Sequence, residues 1–139
     1  MSAEKIFYRD GYKYVLVEPY VTVVAIKPEK FIFTQFVRLD VDGTLSIAVG
    51  YAYDGPSGPA IDTKNFMRGS LVHDALYQLM REGFLDRNKW RVTADEELKR
   101  ICLEDGMSAL RAWWVFQGVR FGGGPAATST GWNPTLEAP

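Results

Sequence analysis

The chain has 139 residues, 47% hydrophobic and 14% aromatic, a composition that suits one domain with one modest core and excludes an intrinsically disordered chain. With 16 basic and 17 acidic residues the formal net charge is -1, so no long-range field draws the chain to DNA, RNA or an anionic bilayer, and no nucleic-acid partner is expected. The single cysteine, Cys102, excludes an internal disulfide and a cysteine-built zinc site.

The N-terminal stretch MSAEKIFYRDG has no apolar core of the signal-peptide kind, and no apolar run is long enough to span a bilayer. Residues 12–53 read as strands. YKYVLVEPYVTVVAI is rich in aromatic and β-branched residues and is broken at Pro19. In TQFVRLDVDGTLSIAVGYAY, Asp42-Gly43 between two apolar runs is a strong hairpin signal, with Arg38, Asp40, Thr44 and Ser46 alternating outward. A small antiparallel sheet with one face covered is expected.

The stretch DGPSGPAID, residues 54–62, reads as a loop, because two glycines and two prolines so close together forbid helix or a regular ladder. Asp62 or Thr63 then caps a helix running to about Glu82, with Gly83 as its stop. FLDRNKWRV reads as a polar connection. The capping box Thr93-Ala94-Asp95-Glu96 opens a second helix to Asp105, with Gly106 past its end. A third, aromatic-rich helix spans Ser108 to Phe121 and ends at Gly122–Gly124. No repeat or linker divides the chain, so residues 1–124 form a single α+β domain, a small sheet packed on three helices, and 125–139 a loosely ordered tail.

On a wheel of about 100° per residue, Met67, Leu71, Val72, Ala75, Leu76, Leu79 and Met80 fill a broad apolar arc. His73, the only histidine, and Tyr77 stand four apart at its edge, with Asp74 beside them. Asp95, placed at the second position of its helix where the dipole favours an acid, also projects close to the inward stripe of Leu98 and Cys102. A carboxylate leaning inward needs a partner, and His73, with the Tyr77 hydroxyl as a second donor, is a candidate. The bland account is a buried polar pair that only fixes packing. The Gly/Pro loop can turn carbonyls towards one point and, with Asp74, Asp54 and Asp62, offers oxygens of the kind calcium accepts; a tight ion-free turn accounts for the same residues.

His73-Asp74-x-x-Tyr77, a glycine-bearing loop upstream and an Asp on the next helix resemble the phospholipase A(2) arrangement, especially the parvoviral capsid form without disulfides. The likeness runs through HDALY, TADEELKRI and ALRAWWVFQGVRF, over roughly residues 51–123. A second resemblance covers nearly the whole chain. Strands leading to GYAYDGPSGP, then VHDALY and TADEEL, are similar to a domain of unknown function common in tailed phages and prophages, whose loop reads like Thr-Asp-Gly-Ala-Ser-x-Pro; here it is Tyr53-Asp54-Gly55-Pro56-Ser57-Gly58-Pro59. Pro56 and the smaller number of glycines depart from the enzymes' calcium loop, and the N-terminal strands have no counterpart in the secreted enzymes.

The enzyme resemblance implies a three-helix, phospholipase-like C-terminal half with His73 as general base towards water, Asp95 fixing the ring's tautomer and Tyr77 steadying Asp95. Asp74, with carbonyls of Tyr53, Gly55 and Ser57 and with Asp54 nearby, would hold calcium, which stabilises an ester oxyanion. No Gly-x-Ser-x-Gly nucleophile motif is present, and none is needed for direct attack by water. A lipid partner would need an apolar rim, for which Phe84, Leu85, Trp90, Trp113, Trp114 and Phe116 are candidates; aromatics at helical spacing also serve as core. Arg111 and Arg120 are candidates to meet phosphate, or simply solvated surface charges. The phage resemblance implies synthesis in the host cytoplasm, use in the virion or delivery by the particle, and as the non-enzymatic alternative a virion or host-protein-binding role. Oligomeric state is left open.

Overall fold

The computed structural model describes residues 8–9, 14–53 and 64–122. Among the described residues seven short strands precede three helices: β1 Tyr8–Arg9, β2 Tyr14–Leu16, β3 Tyr20–Val23, β4 Ile32–Phe33, β5 Val37–Leu39, β6 Thr44–Ile47, β7 Ala52–Tyr53, α1 Lys64–Arg81, α2 Arg87–Glu104 and α3 Ala109–Gly122. This is the α+β arrangement expected, with one change: the strands form two antiparallel sheets. One is ordered β1-β2-β7 and the other β3-β6-β5-β4. Pro19 sits at the break between β2 and β3, where the chain leaves one sheet for the other.

The hairpin falls where Asp42-Gly43 puts it. Gly43 N–H donates to the Asp40 carbonyl at 3.0 Å, and Thr44 N–H donates to the Asp42 carboxylate at 2.9 Å. Gly43 has φ +92, and a Cβ there would lie 2.3 Å from the Val24 carbonyl oxygen, so the turn admits only glycine. Period-2 alternation then holds. Val37, Leu39, Leu45 and Ile47 are buried, while Arg38 is exposed and Thr44 and Ser46 are half-buried. The inner residues of the sheets meet Leu71, Leu76 and Leu79 of α1 in the main core, and Phe66, Leu98, Cys102, Met107 and Ala112 form a second cluster beneath α3.

The start of α2 differs from the sequence expectation. The helix begins at Arg87, and its N-cap is Asp86, whose carboxylate accepts from Asn88 N–H at 2.9 Å. Thr93-Ala94-Asp95-Glu96 therefore lies inside the helix, and residues 87–92 are helical where a polar connection was expected. Leu85 and Trp90 pack on the core and anchor the earlier start, so the tertiary contacts and a second capping residue win over the local capping box. The helix-dipole reason for Asp95 falls with it, since this acid sits in mid-helix and not in the first turn. The first helix ends at Arg81 with Gly83 at φ +84, as expected, and its capping residues Asp62 and Thr63 lie outside the described residues.

Candidate functional site

α1 and α2 run against each other in opposite directions, and one close approach makes this possible. A Cβ on Gly69 would sit 3.0 Å from both Cys102 Sγ and Leu98 Cδ1, so the helices meet where α1 has no side chain. One turn further along α1 stands His73; one turn before Leu98 on α2 stands Asp95. The two chains of side chains are thereby brought face to face.

His73 Nε2 lies 2.7 Å from Asp95 Oδ1, and the Tyr77 hydroxyl donates to the same oxygen at 2.5 Å. The His73 and Tyr77 rings are 4.1 Å apart between centroids. Asp95 is fully buried, Tyr77 nearly so, and His73 is 7% exposed. Because an ionised carboxylate only accepts, the ring nitrogen facing it carries a proton, and in the neutral form of the ring Nδ1 is the acceptor. Among the described residues nothing hydrogen-bonds Nδ1. An imidazole held in one tautomer with its free nitrogen turned away from its carboxylate is arranged to take a proton from a reactant.

Two arginines complete the group. Arg120 NH1 donates to the other Asp95 oxygen, Oδ2, at 2.7 Å. Arg91 Nε donates to the Tyr77 hydroxyl at 3.2 Å, and its NH2 donates to the carbonyls of Val119 at 3.1 Å and Arg120 at 2.7 Å. Arg91 thus caps the end of α3 and fixes the residue that Arg120 projects from. Burial pushes the Asp95 carboxyl up, but the bonds from His73, Tyr77 and Arg120 outweigh it and hold the group below its ordinary range. Burial, followed by the adjacent Asp95 charge, drives the Tyr77 phenol well above its ordinary range, so it remains a donor.

Asp74 is half-buried next to His73, and Tyr53 is buried at the end of β7, its ring stacked on Tyr51 at 6.2 Å. The other expected calcium ligands, Asp54, Gly55 and Ser57, lie outside the described residues, as does Asp62. Among the described residues no three His, Cys, Asp or Glu side chains cluster as a metal site. Asp74 is an oxygen donor of the hard kind calcium takes, and the remaining oxygens would have to come from the loop.

Of the expected rim, Phe84, Trp113 and Trp114 are exposed, Trp90 and Phe116 half-buried, and Leu85 is core rather than rim. Arg120 is not simply a solvated charge, since it is paired with Asp95. The sequence reading missed Arg91 altogether, although its place one helical turn before Asp95 was a usable signal. It also missed Arg68, which is 4% exposed and bonds Tyr20, Glu104 and Asp105, tying α1 to β3 and the far end of α2. Comparison with protein-family models, curated proteins and solved structures finds no match.

Proposed function

We propose that the chain is a phage-encoded, calcium-assisted hydrolase of phospholipid-type esters, made in the host cytoplasm and acting on membranes as a virion component or after delivery by the particle. One observation carries the reading: the ring of His73 is held on Asp95 at 2.7 Å, with Tyr77 on the same carboxylate oxygen, across two successive helices packed side by side. Nδ1 takes a proton from water as the water oxygen bonds to the ester carbonyl carbon. When the tetrahedral adduct collapses, the acyl–oxygen bond breaks and the departing alcohol takes up that proton. Calcium, held by Asp74 and by oxygens of Tyr53, Asp54, Gly55 and Ser57, would supply positive charge for the developing oxyanion. The test is release of fatty acid from phospholipid vesicles with and without calcium. Calcium-dependent release that is lost in His73→Ala, with that variant still folded, supports the proposal; no turnover of any phospholipid under either condition defeats it.

The near-complete burial of His73 favours a second reading, in which the His73–Asp95–Tyr77 group is a structural polar network in a phage virion or host-interaction protein. Under that reading His73→Ala loses stability and the wild type ignores divalent ions. Under the first, calcium raises the melting temperature of the wild type by mass action.

A further inference from the structure

Two guanidinium groups, Arg91 and Arg120, stand around the one fully buried carboxylate of the site, Asp95. Asp95 is paired with Arg120, but Arg91 bonds only a hydroxyl and two carbonyls among the described residues. A guanidinium has five N–H donors, and among the described residues Arg120 uses one, from NH1 to Asp95 Oδ2. Its side chain is 27% exposed, whereas the carboxylate it holds is sealed. One NH1 donor is thus committed to Asp95, and the other donors of this partly exposed side chain have no partner among the described residues. Arg91 holds the backbone carbonyl of Arg120 itself, so the position of this fork does not depend on a flexible helix end. The helix that carries it, ALRAWWVFQGVRFG, contains two arginines and no acid that would occupy those donors within α3.

We infer that Arg120 is an anion receptor beside the His73–Asp95 pair, binding a phosphate oxyanion carried by the substrate. This rests on the ester-hydrolase reading only for the word substrate; the receptor itself needs no turnover. A planar guanidinium is suited to two parallel bonds to phosphate, and a second guanidinium, Arg91, on the backbone carbonyl behind it favours an anion over a neutral group. Reactive bond and anion would then be recognised one carboxylate apart: His73 on one Asp95 oxygen, Arg120 on the other. Arg120 becomes a specificity residue that selects a phosphate-bearing ester over a neutral glyceride.

The first arm of the test uses inorganic phosphate. The Arg120 Nε–H signal of ¹⁵N-labelled wild-type protein is followed by NMR at constant ionic strength. Saturable movement of that signal, at least tenfold weaker binding in Arg120→Gln, intermediate binding in Arg120→Lys, and unchanged binding in Arg111→Gln are expected. An Arg120 signal that ignores phosphate, or equal binding by wild type and a folded Arg120→Gln, overturns the proposal, and the wild-type signal decides should the variant not fold. The second arm compares turnover of a short-chain phospholipid with that of a triacylglycerol of the same chain length, separating a headgroup from free phosphate. The phospholipid-to-glyceride ratio of kcat/KM should fall about tenfold in Arg120→Lys, mostly through KM; an unchanged ratio overturns the headgroup assignment. Arg120-dependent phosphate binding with no ester turned over would remove the hydrolase reading and leave the receptor standing, whereas turnover with Arg120-independent phosphate binding would do the reverse.

Discussion

Asp95→Asn tests the buried network most directly. The amide keeps the shape of the carboxylate but not its charge, and it has one accepting oxygen where Asp95 has two. Oriented to accept from His73 and Tyr77, the amide turns its NH2 towards Arg120, donor against donor, and the bond at 2.7 Å is lost. A hydrogen bond to a charged group contributes about 1.5–3 kcal/mol, and the two that survive drop towards the neutral value of roughly 1 kcal/mol each. The total loss is about 3–5 kcal/mol, the range for breaking a buried ion pair. Arg120 recovers part of its share by turning to solvent, whereas His73 and Tyr77 are too buried to do so. At roughly 3–5 °C per kcal/mol for a domain of this size, the melting temperature should fall by about 10–20 °C. The pH profile gives an independent check. A carboxyl held below its ordinary range contributes stability that is present above a pH of about 4 and is lost as pH falls through the folded-state value. Acid unfolding should therefore be less steep in Asp95→Asn than in the parent. Thermal and urea unfolding by circular dichroism between pH 3 and 8 measure both. A variant within about 1 kcal/mol of the parent at neutral pH, with the same acid limb, would refute the account of Asp95 as the charge on which the network is built.

Gly69→Ala should destabilise the protein by about 1 kcal/mol despite the better helix propensity of alanine, because the buried Cys102 and Leu98 side chains and the Leu98 carbonyl, at 3.3 Å, leave a Cβ little room; urea unfolding measures it, and a stabilised variant would count against the close approach. Burial pushes the Cys102 thiol up to about 12, so in the native protein it should stay unreactive to an aromatic disulfide reagent at pH 8 and react fully only in denaturant.

The parts of this structure that were legible in the sequence are those set by local pattern. The Asp42-Gly43 turn, the alternation of β5 and β6 and the apolar arc of α1 each follow from side-chain period and turn chemistry within a few residues. The facing of His73 and Asp95 was legible for a less secure reason. The inward lean of Asp95 came from its wheel position relative to Leu98 and Cys102, which holds wherever the helix begins; its supposed place in the first turn did not survive. What could not be read were the contacts set by tertiary geometry alone. Pairing of β3 with β6 and of β2 with β7 divides the strands into two sheets, and no single segment encodes that choice. Arg120 lies 25 residues from Asp95, and only the docking of α3 brings them together. Arg68 is a charge on an otherwise apolar helix face, and its acceptors are at the far end of α2 and on a strand 48 positions away.

These contacts share one register. Along α1 the residues Arg68, Gly69, His73 and Tyr77 ascend, and their counterparts on α2 descend: Asp105, then Cys102 and Leu98, then Asp95 and Arg91. The arrangement is what an antiparallel pair requires, and it has a consequence for the site. Apolar packing alone tolerates sliding of one helix past another by a turn, since one apolar side chain replaces the next at modest cost. A buried carboxylate with two directed donors from the facing helix does not, because a one-turn slip of about 5.4 Å would carry His73 and Tyr77 away from Asp95 and leave its Oδ1 unpaired in the core. The Arg68 cluster applies the same constraint at the other end of the interface. Two polar clamps on either side of one glycine contact therefore define a single alignment of α1 and α2, and that alignment is what sets His73 on Asp95.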